Sequence, residues 1–242
     1  MDIYQHIVNR SAEGKKQFAI LIDPDKETEA SLLSLCSQAT EHAVDYFFVG
    51  GSLLTQDCLE ECISTLKKNS KIPVVLFPGS VLQINHKADA ILFLSLISGR
   101  NPDLLIGKHV VSAPMLKQSK LEVVPTGYIL IDGGRPTSVS YMSNTTPIPS
   151  NKKDIAVCTA MAGEMLGLKL IFMDAGSGAE NPVNETMVAA VKKSISIPLV
   201  IGGGIKSAEK AKAVFAAGAD LIVIGNAIER NPSLIAEIAA AR

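Results

Sequence analysis

Eight short apolar runs recur along the whole chain, and they constrain the possible fold more than any other feature. They occupy residues 18–22, 46–49, 74–77, 90–94, 127–131, 170–173, 199–201 and 221–224. Each run is almost continuously apolar, which is typical of strands buried on both faces of a parallel sheet. Helix-like stretches follow most of them, at 27–43, 56–68, 155–166, 183–194 and 207–217. Eight strand–helix units in 242 residues predict a (β/α)8 TIM barrel.

The residues between the runs, several of which are typical of helix ends, support this architecture. Ser207 is predicted to cap the N-terminus of the last of these helices, Gly218 to end it, and Pro182 to occupy a first helical turn. The stretch 81–87 is short and polar, so the third helix is expected to be reduced or absent. No linker divides the chain, and residues 1–242 are therefore predicted to form a single domain. A doubly wound open sheet is the competing architecture, although it usually has fewer strands at this length.

Composition narrows the classes of function. The net charge of −1 gives no basis for nucleic-acid binding, and 47% hydrophobic with 19% charged residues excludes a disordered chain. Residues 1–16 do not resemble a signal peptide, and no apolar run is long enough to span a bilayer. The four cysteines do not form a metal-binding pattern and are predicted to be free thiols. We therefore expect a cytoplasmic protein without a transmembrane segment.

Glycine-rich turns follow the sixth, seventh and eighth runs, at residues 176–178, 202–204 and 225. Glycines let backbone N–H groups approach an anion closely, and the loops after the last two strands of a barrel are a recurrent phosphate site. The alternative is that these glycines only form tight turns. Agreement between the two adjacent loops favours a phosphate monoester as ligand.

Acidic residues follow the first and the sixth runs. The sequence Asp23-Pro24-Asp25-Lys26 comes after the first run, and a hydroxyl, Ser52, follows the second. Oxygen ligands of this kind suit Mg²⁺, although an Asp-Pro-Asp turn is also a common helix cap. After the sixth run, Asp174 is either an acceptor for substrate hydroxyls or a local turn former. No Ser-His-Asp arrangement is evident, so no covalent intermediate is expected.

Taken together, these motifs resemble the geranylgeranylglyceryl phosphate synthase family, which includes the bacterial heptaprenylglyceryl phosphate synthases. The resemblance covers essentially the whole chain and rests on residues 21–26, 49–52, 174–179, 202–205 and 225–226. It implies a Mg²⁺-dependent prenyltransferase of ether-lipid biosynthesis. The reaction would join sn-glycerol 1-phosphate to a polyprenyl diphosphate, foremost geranylgeranyl diphosphate, through an ether bond and release diphosphate.

The resemblance also implies roles for individual residues. Asp23 and Asp174 would be catalytic, and Asp23 and Ser52 would bind Mg²⁺. The residues that would bind glycerol 1-phosphate are Phe172, Met173, Asp174, Ala175, Gly176, Ser177, Gly178, Gly203, Gly204, Gly225 and Asn226. Two of these depart from the family pattern, since Tyr is common at position 172 and Glu at position 174.

Other features are compatible with more than one interpretation. The loop 132–151 and the segment 148–152 resemble the larger-subunit group of the family, which implies a homodimer or homohexamer, with Tyr141 a candidate contact. Residues for the prenyl groove, which are equally candidates for ordinary core, are Leu53, Leu54, Phe77, Leu94 and Leu96. One alternative function is a phosphosugar isomerase or aldolase-like barrel that uses Asp23 and Asp132 as acid and base. Another is a non-catalytic sensor of polyol phosphates.

Overall fold

The computed structural model describes residues 2–242, and it confirms the barrel. The strands are β1 (Gln17–Ile22), β2 (Tyr46–Val49), β3 (Val74–Leu76), β4 (Ala90–Leu96), β5 (Glu122–Leu130), β6 (Leu170–Asp174), β7 (Leu199–Gly202) and β8 (Leu221–Ile224). All neighbouring strands are parallel, and β1 pairs with both β2 and β8, so that the sheet closes. Closure places the carboxyl ends of all eight strands on one rim.

Helices surround this barrel. They are α1 (Ile3–Ala12), α2 (Glu29–Glu41), α3 (Leu59–Asn69), α4 (Lys108–Gln118), α5 (Ser138–Ser143), α6 (Lys153–Met165), α7 (Glu185–Ser194), α8 (Ala208–Ala216), α9 (Asn226–Arg230) and α10 (Leu234–Ala239). Between β3 and β4 the chain forms only a 3-10 turn, Val81–Gln83, which confirms the expected reduction of the third helix. No helix within residues 2–242 is both long and apolar enough to cross a membrane.

Alternation along each strand separates the interior into two apolar layers. On β2, Tyr46 and Phe48 point into the barrel, whereas Phe47 and Val49 point toward the helices. Successive side chains of a strand face opposite sides of the sheet, so a fully covered barrel requires apolar residues at every position. This requirement explains why the runs in the sequence are continuous.

Carboxylates stabilise the amino-terminal end of the barrel. Asp45, Asp89 and Asp220 directly precede β2, β4 and β8, and each accepts a backbone N–H from the start of the preceding strand. The donors are Phe18, Val74 and Leu199, at 2.7–2.9 Å. Strand N–H groups that would otherwise lack a partner are thereby satisfied by charged acceptors.

Helix α1 covers the amino-terminal opening of the barrel. Ile3 and Ile7 are one turn apart and are buried among the inward-facing residues. The carboxylate of Glu122 accepts the N–H groups of Ile3 and Tyr4 at 2.6 and 2.7 Å. These two bonds attach the start of α1 to the start of β5. The charge also lies favourably at a helix N-terminus.

Some features of the fold differ from the sequence-based expectation. Pro182 is not in a first helical turn, because Asn184 accepts the N–H of Met187 and α7 begins at Glu185. Helix α5 lies inside the segment predicted as a loop. The cysteine thiols are free, as predicted.

Helix α4 was not recognised in the sequence because it buries polar residues and exposes apolar ones, the opposite of the usual pattern. His109 and Ser112 are buried, whereas Val110 and Val111 are about two-thirds exposed. Pro114 lies within the helix as well. An apolar stripe every three or four residues, the usual signal of a surface helix, is therefore absent here.

We expect Glu122→Ala to lower the free energy of unfolding by about 1–2 kcal/mol, because two N–H groups at a helix start lose their charged acceptor. Urea unfolding followed by circular dichroism measures this difference. Glu41→Ala removes an exposed carboxylate at the end of α2 and is the matched control, expected within about 0.5 kcal/mol of the unmodified protein. Equal stability of the two variants would contradict the role assigned to Glu122.

Candidate active site

One cavity of about 1130 Å³ opens at the carboxyl ends of the strands. It brings together most of the predicted site residues, namely Asp23, Ser52, Phe172, Asp174, Ser177, Gly178, Gly203, Gly204, Gly225 and Asn226. The acidic turn after β1 and the glycine turns after β6, β7 and β8 therefore share one opening. This is the arrangement expected from the parallel closed sheet.

Gly203 and Gly204 form a backbone turn that excludes side chains. Their φ angles are +76° and +70°, a conformation that L-residues rarely adopt. A Cβ atom on Gly203 would lie 2.5 Å from Oδ1 of Asp174 and 2.7 Å from the amide nitrogen of Gly176. Within residues 2–242, the N–H groups of Gly203 and Gly204 have no backbone acceptor. These groups are available to an anion.

The last residues of β6 and the turn after them lie in two different environments. Phe172 and Asp174 point into the barrel, whereas Met173 and Ala175 are buried in the layer between strands and helices. Gly176 lies beneath Thr137, whose Oγ1 would be 2.5 Å from a Cβ at that position. Phe172 and Asp174 line the cavity with their side chains, while Met173, Ala175 and Gly176 lie outside its lining.

Asp174 is a buried carboxylate at the base of this turn, with 7% of its surface exposed. Its Oδ1 accepts the N–H of Gly176 at 2.8 Å, and its Oδ2 accepts the hydroxyl of Tyr128 at 2.5 Å. Burial raises the pKa of Asp174, and the two donated hydrogen bonds oppose this effect. The carboxylate is thus a desolvated acceptor beside an anion-binding turn.

The acidic turn after β1 also borders the cavity. Asp23 accepts the N–H of Asp25 through Oδ1 at 3.3 Å and pairs with Lys26 through Oδ2 at 2.9 Å. Lys26 also lies 3.6 Å from Glu229 of α9. This ion-pair network connects the loops that follow β1 and β8.

Ser52 lies in the loop after β2, which a buried glutamine holds in place. Gln83 accepts the N–H groups of Gly51 and Gly79 and donates to the carbonyl of Gly51 at 2.8 Å. Gly79 packs so closely against this loop that a Cβ on it would be 2.8 Å from the carbonyl oxygen of Ser52. The position of Ser52 therefore depends on the turn after β3.

A carboxylate from Asp23 and a hydroxyl from Ser52 on one cavity fit the chemistry of Mg²⁺, which takes oxygen ligands and keeps several waters. Residues 2–242 contain no cluster of three or more His, Cys, Asp or Glu side chains suited to a metal. A cation here would therefore depend on water and on substrate oxygens for its remaining ligands.

Basic side chains that the sequence analysis did not single out also line the cavity. Arg135, from the loop after β5, donates to the carbonyl oxygen of Gly178, and Lys206 donates to that of Glu180 at 3.1 Å. Both guanidinium and ammonium groups are exposed beside the glycine turns. Each adds positive charge where an anion would enter. Their only signal in the sequence is proximity to the glycine motifs.

An apolar arm of the cavity extends over β3 and β4 toward α4. The five groove candidates, Leu53, Leu54, Phe77, Leu94 and Leu96, all line the cavity. Phe93 and His109 line it as well, with ring centroids 4.4 Å apart. His109 reaches the cavity from α4, and burial lowers the pKa of its imidazole.

The acid–base pair required by the isomerase alternative is not assembled. Asp132 is exposed, accepts the N–H of Gly134 at 2.9 Å, and is absent from the cavity lining, whereas Asp23 lines it. The geometry therefore favours an arrangement in which Asp23 and Asp174, rather than Asp23 and Asp132, face the ligand.

We expect Gly203→Ala to weaken binding of a phosphate monoester about tenfold or more, because the new methyl group displaces Asp174 and the Gly176 amide. Titration calorimetry measures the affinity. Gly14→Ala is the matched control: its φ of +71° imposes similar backbone strain, about 1 kcal/mol, but nothing lies within 4 Å of the added methyl. Equal loss of affinity in both variants would show that strain, not crowding of the turn, is responsible.

Comparison with known proteins identifies the family of this chain. The PcrB family model matches residues 11–242. Geranylgeranylglyceryl phosphate synthase of Chitinophaga pinensis is 59% identical over 239 residues, covering 99% of this chain and 95% of that protein. The synthase of Pyrococcus furiosus is 40% identical over 231 residues, covering 95% of this chain and 91% of that protein.

Solved structures show the same relationship. The crystal structure of (S)-3-O-geranylgeranylglyceryl phosphate synthase from Thermoplasma acidophilum, in complex with sn-glycerol-1-phosphate, matches with a TM-score of 0.94 and 32% identity. The match covers 100% of this chain and 98% of that one. The family model and these nearly full-length relatives establish that the chain belongs to the PcrB family of geranylgeranylglyceryl phosphate synthases and is a prenyltransferase.

Proposed function

We propose that this prenyltransferase joins sn-glycerol 1-phosphate to a polyprenyl diphosphate, with geranylgeranyl diphosphate as the foremost donor. The observation that carries the proposal is a single cavity with three chemically different parts. A glycine turn offers free N–H groups, an acidic turn offers oxygen ligands, and an apolar arm has room for a hydrocarbon chain. A phosphorylated polyol and a prenyl diphosphate together match all three.

Backbone and side-chain groups from several loops bind the phosphate of glycerol phosphate. The backbone at Gly203, Gly204 and Gly225 holds the phosphate of glycerol phosphate, and Ser177 and Asn226 contribute polar side chains. Ser177 donates to Asn226 at 3.1 Å, so these two residues are already aligned. A phosphate carries negative charge that these neutral donors do not balance. Arg135, next to Gly178, supplies a positive charge that does.

In the reaction, the primary hydroxyl of glycerol phosphate attacks the allylic carbon of the donor. A new carbon–oxygen ether bond forms, the bond between that carbon and diphosphate breaks, and the hydroxyl proton passes to the Asp174 carboxylate. A buried carboxylate with a raised pKa is suited to accepting a proton. Holding both reactants in one cavity removes much of the entropic cost of bringing them together.

Mg²⁺, held by Asp23 and Ser52, would neutralise charge that develops on the departing diphosphate. The ion pair between Asp23 and Lys26 places a second cation beside that position. The apolar arm, which Phe93 and His109 line next to α4, accommodates the prenyl chain.

We also propose that the protein is a homodimer or homohexamer. Ile106, Val110, Val111 and Met115 are 55–67% exposed in and just before α4, and Tyr141 is 86% exposed. Exposed apolar residues concentrated on one face are typical of contact surfaces between subunits. Light scattering coupled to size-exclusion chromatography distinguishes these states, and a monomer would contradict the proposal.

Incubation with radiolabelled glycerol 1-phosphate, MgCl2 and prenyl diphosphates of several lengths, followed by organic extraction, tests the activity. We expect labelled lipid that disappears when EDTA is added, with the highest yield for the geranylgeranyl donor. Absence of extractable label at every chain length, together with glycerol phosphate binding by calorimetry, would instead favour the sensor alternative.

Asp23→Asn is expected to abolish Mg²⁺-dependent turnover, at least about 100-fold, while the affinity for glycerol 1-phosphate changes less than about threefold. Asp25→Asn, the same substitution two residues away, is the control. Asp25 accepts the N–H and hydroxyl of Thr55 at 2.6 and 2.8 Å, so we expect it to lower stability but to preserve the Mg²⁺ dependence. Unchanged turnover in Asp23→Asn would contradict the metal assignment.

A further inference from the structure

A phenol inside the barrel points at the carboxylate that faces the substrate. Tyr128 lies on β5, where its Cα is the register partner of Phe172 on β6. Its ring packs against both Phe77 and Phe172, with centroid distances of 6.0 and 5.6 Å, and 5% of the residue is exposed. This packing leaves the ring little freedom, and its hydroxyl meets Oδ2 of Asp174 at 2.5 Å.

The surroundings of Asp174 make this contact unusual. From β7, Gly202 and Gly203 approach it, and neither has a side chain. Arg135 and Lys206 donate to the carbonyl oxygens of Gly178 and Glu180 rather than to the carboxylate. In the part of the chain from residue 2 to 242, no salt bridge reaches Asp174. Tyr128 is thus the titratable side chain in contact with it.

We propose that Tyr128 is a positioning residue for the transfer reaction: its hydroxyl holds the Asp174 carboxylate in one orientation and in its charged form, with Oδ1 turned toward the glycine turn. The inference rests on the proposed function, in which Asp174 accepts the proton of the attacking hydroxyl. Oδ1 lies close to Gly203 and to the N–H of Gly176, which is where the polyol would bind.

The energetics support this role. A buried carboxylate without donors becomes protonated at higher pH, and a hydrogen bond donated to its charged form counters that tendency. Burial and the neighbouring Asp174 charge raise the pKa of Tyr128 well above its ordinary value, so the phenol remains a donor across the neutral range. Losing the phenol should therefore raise the pKa of Asp174.

The test compares Tyr128→Phe with the unmodified protein, because Phe retains the ring and removes only the hydroxyl. We expect the acid limb of the pH profile of kcat/KM to move upward by about one pH unit. At pH 7, kcat should fall about tenfold while KM for glycerol 1-phosphate changes less than about threefold. A profile that superimposes on that of the unmodified enzyme would overturn the proposal.

Tyr46→Phe is the matched control. Tyr46 is a second buried phenol inside the same barrel, at its amino-terminal end, where it bonds to Gln17 at 3.0 Å and to His6. We expect this variant to lose stability without any movement of the pH profile. If Tyr46→Phe moved the profile as much as Tyr128→Phe, the effect would be general loosening of the barrel rather than positioning of Asp174.

A measurement without turnover separates this inference from the proposed function. The carboxyl ¹³C resonance of Asp174, titrated in the protein alone, should shift its midpoint upward in Tyr128→Phe, by about the same one pH unit. In the unmodified protein, the Cζ resonance of Tyr128 should titrate together with it. Independent titration of the two resonances would overturn the Tyr128 proposal, whereas absence of labelled lipid from the unmodified enzyme would overturn the function alone.

Discussion

Closure of a parallel sheet is the constraint on which this molecule depends. β1 bonds to β2 on one side and β8 on the other, so no strand edge remains unpaired. Because all strands run in one direction, every loop after a strand opens at the same end. Residues as distant in sequence as Asp23 and Asn226 consequently line one cavity. The opposite end is occupied by α1 and by the carboxylates that bind strand N–H groups. These contacts stabilise the fold.

The site combines charges of both signs that are kept apart by position. Neutral backbone donors at Gly203 and Gly204 are half-buried, and the buried carboxylate of Asp174 lies next to Gly203. Basic side chains such as Arg135 and Lys206 lie further out, where solvent lowers the cost of their charge. A buried carboxylate beside an anion-binding turn is unfavourable for a bare phosphate. It becomes favourable when a polyol hydroxyl lies between the two, which agrees with glycerol phosphate as the proposed ligand.

Much of this arrangement follows from local patterns in the sequence. Continuous apolar runs identify buried parallel strands, and glycines after β6, β7 and β8 identify the anion-binding turns. The helix α4 could not be recognised, because its buried face carries His109 and Ser112 while valines face outward. The sequence did not identify Tyr128 as a site residue either, since one aromatic residue in an apolar run normally belongs to the core. Its hydroxyl acquires a role only because β5 is next to β6.

By itself, the sequence determined the eight strands, the reduced third helix and the residues at most strand ends. These features depend on the spacing of hydrophobic residues and on the positions of glycines, which can be read from short segments. Only the tertiary structure decided which strand-end residues face a ligand. At the end of β6, Phe172 and Asp174 line the cavity, whereas Met173 and the following Ala175 face the helices. It also decided that Asp132 points away and that Tyr128 meets Asp174. The physical reason is that pleating and strand register set the direction of each side chain, and neither is expressed in local composition.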